Sequence, residues 1–533
     1  MPTIHFKGKT FVQNHHLAVK YHQLVPKKEL SLTDKVSLHD NLIIQGDNLK
    51  ALKALLPTYS GKVKCIYIDP PYNTGNENWV YNDNVNSPML KEWFGKIVDK
   101  EDMTRHDKWL CMMMPRLKLL RELLSEDGVI FISIDDNEQH NLRCLLDEVF
   151  GVEYFIGQFT WRRRASSTLA ENLASTDHEY VIAYGKLHFN GFSGVEKNYS
   201  AYGNPDNDKR GDWVLGDLTV GMNKNQRPNQ FYELVDPKTG KRYKPNSNRV
   251  WAYIPESMDK LIKENRVVFP EDNSKRPMLK RFKAELRSEK NPISTWMDNV
   301  GLNTESTKLI QEIFRDKVFE YSKPLSLIKT IIKQITNGDD IVLDSFAGSG
   351  TTAHAVLELN KEDGGNRKFI LVEMEDYANS ITAERVRRVI NGVKSAKSEL
   401  LKKGTGGTFS YFELGNTIEM ESLLKGKNLP SFTEFARYLF YTATGEEFNE
   451  KSVNEKTGFI GESKNYEAYL FYKADIDWLK KNALTLELCK SLPKFKNKQR
   501  LVFAPAKYVD DHTLLEFRID FCQLPYEIYR IQK

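Results

Sequence analysis

The stretch Val342–Val356, VLDSFAGSGTTAHAV, decides the fold. Val342 and Leu343 end an apolar run of the kind that forms a buried strand. Gly348 and Gly350 then make a tight turn, and a helical apolar pattern starts near Thr351. Glycines between a strand and a helix let the backbone approach a ligand closely and leave helix N–H groups facing it. Gly348-x-Gly350-x-x-Ala353 fits a nucleotide-binding fingerprint, although so short a pattern also arises as an ordinary turn. The next apolar run, KFILVEM (Lys368–Met374), ends in Glu373, about twenty residues on, where an acid suits the two hydroxyls of a ribose. Asp344 and Phe346 stand within the turn and would repel or crowd a pyrophosphate. A carboxylate and a ring suit a cationic, aromatic nucleoside instead, and S-adenosylmethionine is such a ligand.

The same rhythm opens the chain. NLIIQ (Asn41–Gln45) reads as a strand, and NLKALKALL (Asn48–Leu56) reads as a helix that Pro57 stops. KCIYI (Lys64–Ile68) is the next strand, and helical spacing follows from Asp107 to Leu124, with Pro115 as an expected kink. GVIFISI (Gly128–Ile134) and HEYVIAYGK (His178–Lys186) complete the set. A last helix is expected over Asn379–Lys394, then a linker, LLKKGTGGT, over Leu400–Thr408. Strands alternating with helices predict a doubly wound, mostly parallel α/β sheet built from two halves of the sequence. Between the halves the pattern fails. Residues 191–290 carry 20 Lys/Arg against 14 Asp/Glu, whereas the whole chain of 533 residues has a net charge of only +5. The excess therefore lies in one middle segment, interleaved with aromatic residues, as a polyanion-binding region would have it.

Gross properties exclude several classes. No apolar run reaches the ~20 residues of a membrane span, and the first residues lack a signal-peptide pattern. The five cysteines are scattered, never spaced as C-x-x-C, so they read as core residues in a reducing cytoplasm; no His/Cys/acid constellation suggests a metal.

IDPPYNTG (Ile68–Gly75) ends the KCIYI strand with a carboxylate, two prolines and a tyrosine. Strand ends of open α/β sheets face the ligand crevice, so Asp69 is expected to share it with the glycine turn. Pro70 and Pro71 have no N–H and fix φ, which makes the turn rigid and leaves it only carbonyl acceptors. An acceptor-only carboxylate beside a carbonyl holds an amino group through both hydrogens and localises the nitrogen lone pair. Tyr72 offers a face on which a flat base can stack.

DPPY with DSFAGSGTT resembles the amino-methyltransferases of DNA, and their order, with an insert between, resembles the β-class. The stretches around Ile44–Asp83, Ser125–Gly151 and Ser175–Lys186 resemble the Mod (modification) subunit of type III restriction-modification systems. FEYSKPLSLIKTII (Phe319–Ile332) resembles the segment packing over the methionine of the cofactor, centred on Ser322, Lys323 and Pro324. The closing FCQLPYEIYR is reminiscent of Mod C-termini. The resemblance implies a Rossmann-like S-adenosylmethionine-dependent methyltransferase fold with an inserted DNA target-recognition domain and a C-terminal α+β domain. It divides the chain into an N-terminal arm (1–34), a catalytic half (35–190), a recognition domain (191–318), a cofactor half (319–398) and a C-terminal domain (409–533). It implies methyl transfer to adenine N6 in double-stranded DNA, with the base flipped out. Asp69, Pro70, Pro71 and Tyr72 are the expected catalytic residues. Asp344, Phe346, Ala347, Gly348, Gly350, Thr351, Glu373, Ser322, Lys323 and Pro324 are the expected cofactor site. Arg162, Arg163 and Arg164 read as a phosphate patch or a solvated turn; Lys241, Arg242 and Lys244 are further DNA-contact candidates. Asp47 is a candidate for the site or for a simple turn. A homodimer and a separate restriction (Res) helicase-nuclease subunit are the implied partners, in the cytoplasm. Cytosine-N4 methylation, a catalytically silent DNA-recognition subunit and a nucleotide-linked oxidoreductase stay open on the residues alone.

Overall fold

The computed structural model describes residues 3–74, 104–165, 174–246, 248–272, 275–418, 429–493 and 497–524. Gly75 and the residues following it in the expected motif, and Pro525–Arg530 of the closing motif, lie outside the described residues. Two compact units form, one of residues 1–192 with 294–533 and one of residues 193–293.

The larger unit is organised by a ten-stranded sheet. Its strands in chain order are β1 (His22–Pro26), β2 (Leu42–Gln45), β3 (Val63–Ile68), β4 (Leu124–Ile134), β5 (Phe155–Arg162), β6 (His178–Gly185), β7 (Trp296–Met297), β8 (Ile341–Asp344), β9 (Lys368–Glu373) and β10 (Ser410–Thr417). Their spatial order is β1-β10-β2-β9-β8-β3-β4-β6-β5-β7. The run from β10 to β4 is parallel throughout, and β6 is antiparallel to both β4 and β5. Parallel strands are covered on both faces, which is why β3, β4 and β9 read as nearly unbroken apolar runs and are buried almost end to end. Helices α1 (Asn48–Tyr59), α2 (Arg105–Leu123), α3 (Leu325–Ile335), α4 (Thr351–Asp363) and α5 (Glu384–Asn391) pack on it. The result is a doubly wound α/β sheet of the Rossmann-like kind.

Several elements differ from the sequence expectation. Pro57 does not stop α1, which runs on only two residues to Tyr59; the proline is buried, so its packing offsets the one helix hydrogen bond it removes. A strand, β5, stands where none was expected. The helix expected from Asn379 begins as a π-type turn at Ala378–Ala383 and ends at Asn391. The boundary expected at residue 409 meets the large sheet, because β10 pairs parallel with β2. The stretch expected to be an N-terminal arm likewise supplies β1, antiparallel to β10. Beyond β10, strands Phe459–Glu462, Tyr466–Leu470, Gln499–Ala504 and Ile519–Gln523 form a separate mixed sheet over a core that includes Phe435, Leu439, Ile460 and Phe503.

The smaller unit has short strands and one three-stranded antiparallel sheet, Val267–Val268, Met278–Phe282 and Trp213–Asp217. Its core is small: Leu218, Leu234, Tyr243, Trp251, Met258 and Val267. Lys280 is buried there and paired with Asp206 and, at 3.4 Å, with Asp208. Residues 294–318, expected within the insert, belong to the larger unit. Among the described residues no helix is long and apolar enough to cross a membrane.

Candidate active site

Three neighbouring parallel strands, β3, β8 and β9, deliver an acid each at their carboxyl ends: Asp69 directly after β3, Asp344 closing β8, Glu373 closing β9. The strand order reverses between β3 and β8, so the crevice opens where open α/β sheets place ligands. All three carboxylates line one cavity of about 340 Å³, together with Tyr72, Phe346, Gly348 and Lys323.

The glycine turn shapes the β8–β9 side. Gly348 takes φ 51° and lines the cavity; a Cβ there would stand 3.3 Å from the Phe319 ring. Its N–H donates to Glu373 Oε2 at 2.7 Å, and the Glu375 N–H donates to Oε1 at 3.1 Å. The Thr352 hydroxyl donates to Asp344 Oδ2 at 2.6 Å and the Phe346 N–H to Oδ1 at 3.0 Å. Burial pushes both acids up to about 7, and these donors pull them only part of the way back. Phe346 and Ala347 are buried and face the same cavity. The Ser322 hydroxyl meets those of Ser349 (2.8 Å) and Thr351 (3.1 Å). Gly350 and Pro324 stand outside the cavity wall. Pro324 precedes α3, and Gly350 takes φ 79° with the Thr382 carbonyl oxygen 3.1 Å from where a Cβ would be. Gly350→Ala should therefore cost about 1–2 kcal/mol of stability from the left-handed backbone alone, read as a lower urea midpoint.

The β3 side is rigid. The Trp109 indole N–H donates to the Pro71 carbonyl at 2.7 Å. Asn73, at φ 57°, donates to the fully buried Glu138, which also pairs with His106 Nδ1 at 2.7 Å and accepts from Asn141 at 2.8 Å. Asp69 Oδ2 is 2.8 Å from Lys323 Nζ, while Oδ1 is buried without a hydrogen-bond partner among the described residues. Burial raises the Asp69 carboxyl, and Lys323 offsets part of that rise. The Tyr72 hydroxyl donates to Glu179 Oε2 at 3.1 Å.

The three arginines of the run differ in exposure and partners. Arg162 is exposed. Arg163 reaches Glu179 Oε1 at 3.6 Å, and Arg164 pairs with Asp177 at 3.3 Å. In the smaller unit, Arg242 is exposed and pairs with Glu233 at 3.2 Å; Lys241 lies over Tyr243 and Lys244 over Phe231. Asp47 caps α1 by accepting from the Lys50 N–H at 3.1 Å and is not part of the cavity wall.

The family model described as DNA methylase matches residues 63–384, which contain both the Asp69 turn and the glycine turn. The chain belongs to the DNA methylase family. Among curated methylases and their subunits it is 36% identical over 393 residues to the type III restriction-modification enzyme StyLTI Mod subunit of Salmonella typhimurium, covering 71% of this chain and 59% of that protein. It is 31% identical to the EcoP15I Mod subunit of Escherichia coli (63% and 58% covered) and 33% identical to the type II methyltransferase M.KpnI of Klebsiella pneumoniae (65% and 82%). The chain spans about six-tenths of the length of the Mod subunits it matches.

Three parts of this site were not legible in the sequence. Glu179 sits on β6 and meets Tyr72 only through the fold. Trp109 lies on α2, far in sequence from the proline turn it anchors. Arg385 is fully buried beneath the glycine turn, with Nη1 donating to Ser349 Oγ and Thr351 Oγ1, both at 2.8 Å, and Nη2 lying 3.3 Å from His354 Nδ1. Burial brings this guanidinium down to about 9. Only the amphipathic ERVRRVIN pattern was visible, and nothing in it marks which arginine turns inward.

Proposed function

We propose that the chain is a site-specific DNA methyltransferase that moves a methyl group from S-adenosylmethionine to adenine N6 in double-stranded DNA, as the modification subunit of a type III-like restriction-modification system. The observation that carries this reading is the sharing of one cavity by the Asp69-Pro-Pro-Tyr72 turn and by Glu373 with the Gly348 turn. The cavity residues fit the cofactor. Glu373 keeps lone pairs for two ribose hydroxyls, Phe346 offers a wall for a flat ring, and Gly348 leaves a cradle that a Cβ would narrow. Asp344 supplies negative charge toward a cation.

Bound S-adenosylmethionine supplies an electrophilic methyl group on a sulfonium. The chain's own residues do the rest by positioning and electrostatics. A flipped adenine stacks on Tyr72. Its amino hydrogens go to the Asp69 carboxylate and the Pro70 carbonyl, which would direct the nitrogen lone pair at the methyl carbon. Trp109 holds the turn so that these acceptors do not drift. Asp69 would take the proton the nitrogen sheds as its bond to carbon forms and the carbon–sulfur bond breaks, the thioether S-adenosylhomocysteine being the leaving group.

Duplex recognition falls to the smaller, basic unit over 193–293, with Lys241, Arg242 and Lys244 on phosphates. Homodimerisation, docking of a restriction helicase-nuclease and a cytoplasmic location complete the reading, with the chain beyond β10 as the assembly region. The test is to incubate the purified chain with isotope-labelled S-adenosylmethionine and unmethylated genomic DNA, then digest to nucleosides. Labelled N6-methyladenine is expected; labelled N4-methylcytosine would overturn the choice of base.

Cofactor affinity should depend on pH. Asp344 and Glu373 titrate near 7 in the folded chain, and only their ionised forms favour a cation. Affinity should therefore rise about tenfold between pH 6 and pH 8, following the ionised fraction of one such group. Isothermal titration checks this, and Asp344→Asn should flatten the dependence.

A further inference from the structure

Lys323 was expected among the cofactor contacts, but its ammonium turns to the other end of the cavity. Nζ lies 2.8 Å from Asp69 Oδ2 and 3.4 Å from Glu179 Oε2. It stands 4.8 Å from the Tyr72 ring centroid and 5.9 Å from that of Trp161. Glu179 in turn takes the Tyr72 hydroxyl on Oε2 and faces Arg163 with Oε1. These groups come from four places in the sequence: the turn after β3, the end of β5, the start of β6 and the segment before α3. Their common point is Lys323, which joins them to Asp69.

We propose that Lys323 and Glu179 are positioning residues for Asp69: Lys323 holds it as a carboxylate, and Glu179 holds Lys323 and Tyr72 in place. This rests on the methyl-transfer reading above and deepens it. The supporting observation is the shared ammonium: Lys323 Nζ meets both Asp69 Oδ2 and Glu179 Oε2, and Glu179 Oε2 also accepts from the Tyr72 hydroxyl, so the three side chains fix one another. An ionised carboxylate only accepts, as the amino hydrogens require, whereas a protonated one would turn an O–H donor toward them. The aspartate must therefore stay ionised inside a cleft whose burial works the other way.

The charged and titratable groups facing Asp69 are Lys323 from the segment before α3, Glu179 from β6, Tyr72 from its own turn, Tyr67 from β3 and Asp344 from β8. Lys323 is the one cation among them, and the two acids hold it above the ordinary lysine range although burial works to lower it. The signs of two substitutions then differ. Lys323→Met removes the positive charge, so Asp69 takes a proton at higher pH. Glu179→Gln removes a negative charge, so Asp69 keeps its carboxylate to lower pH.

The experiment is the pH–rate profile of methyl transfer by the full chain and these two variants. In Lys323→Met the acidic limb should move up by about one pH unit or more, and in Glu179→Gln it should move down. Lys323→Arg, which keeps the charge, should leave the limb near that of the natural chain. Affinity for S-adenosylmethionine should change by less than about threefold in all of them, well under the tenfold that 1.4 kcal/mol represents. A tenfold loss of cofactor affinity in Lys323→Met with the limb unmoved would return the lysine to the cofactor site. Lower rates with no shift, or shifts of one sign, would make both residues merely structural; each result overturns the proposal. A second readout needs no activity: the pH titration of Asp69 followed by carbon NMR on aspartate-labelled chain, its signal identified by its loss in Asp69→Asn. An inactive natural chain would sink the methyl-transfer reading, while opposite shifts in that titration would still uphold the network.

Discussion

Asp69→Ala should lower methyl transfer by about a hundredfold to a thousandfold, the range found when one preorganised polar group is taken from a reacting centre. The loss should fall on kcat rather than on cofactor binding. Asp69 lies at the Tyr72 end of the cavity, whereas the glycine turn and Glu373 lie at the other. The variant should also fold. Removing the carboxylate leaves Lys323 with Glu179 as its remaining partner, and it relieves the cost of a buried oxygen with no donor. Single-turnover transfer with saturating S-adenosylmethionine separates the outcomes. Normal turnover in Asp69→Ala would mean that some other group holds the amino nitrogen.

Glu373→Ala should weaken S-adenosylmethionine by about tenfold to a hundredfold, the value of 1.5–3 kcal/mol for hydrogen bonds to a charged group. Two effects combine. The ribose hydroxyls lose their acceptors, and the Gly348 N–H loses the carboxylate oxygen now 2.7 Å away. Glu373→Gln divides them, because its amide oxygen can still accept from Gly348. The stability sign is opposite to the binding sign. A carboxyl raised to about 7 in the folded chain binds its proton more tightly folded than unfolded, so its contribution to stability falls as pH rises from the ordinary glutamate range to 7. Glu373→Gln should therefore melt higher than the natural chain at pH 8, with the gap closing by pH 5 as the carboxyl becomes protonated. Calorimetry at the two pH values reads this, and an equal gap at both would show that Glu373 is not a strained ligand-binding acid.

What the sequence disclosed follows from how each element is stabilised. Strands β3, β4 and β9 were legible because a parallel strand covered on both faces needs a continuous apolar run. The two glycines were legible for their local backbone demands, but not for their separate uses: Gly348 opens the cavity, while Gly350 clears the Thr382 carbonyl. Strand β5, FIGQFTWR, escaped because its glycine and mixed polar residues give neither a run nor a clean alternation. Strand β10 escaped because its pairing with β2 joins residues far apart in sequence, and the glycines before it look like a linker. The site divides the same way. Asp69, Tyr72, Asp344 and Glu373 stand at strand ends, which sequence patterns locate. Glu179, Trp109 and Arg385 act through long-range contacts, and nothing local to them carries that information. Lys323 was singled out from its motif, but the end of the cavity it serves became visible only with Asp69 beside it.

The most direct test of the central claim is single-molecule sequencing of DNA from a methylation-free host expressing the chain, beside the same host expressing Asp69→Ala. The account predicts N6-methyladenine at one short motif with the natural chain and none with the variant. The same modification in both, or none in either when S-adenosylmethionine is bound normally, would contradict it.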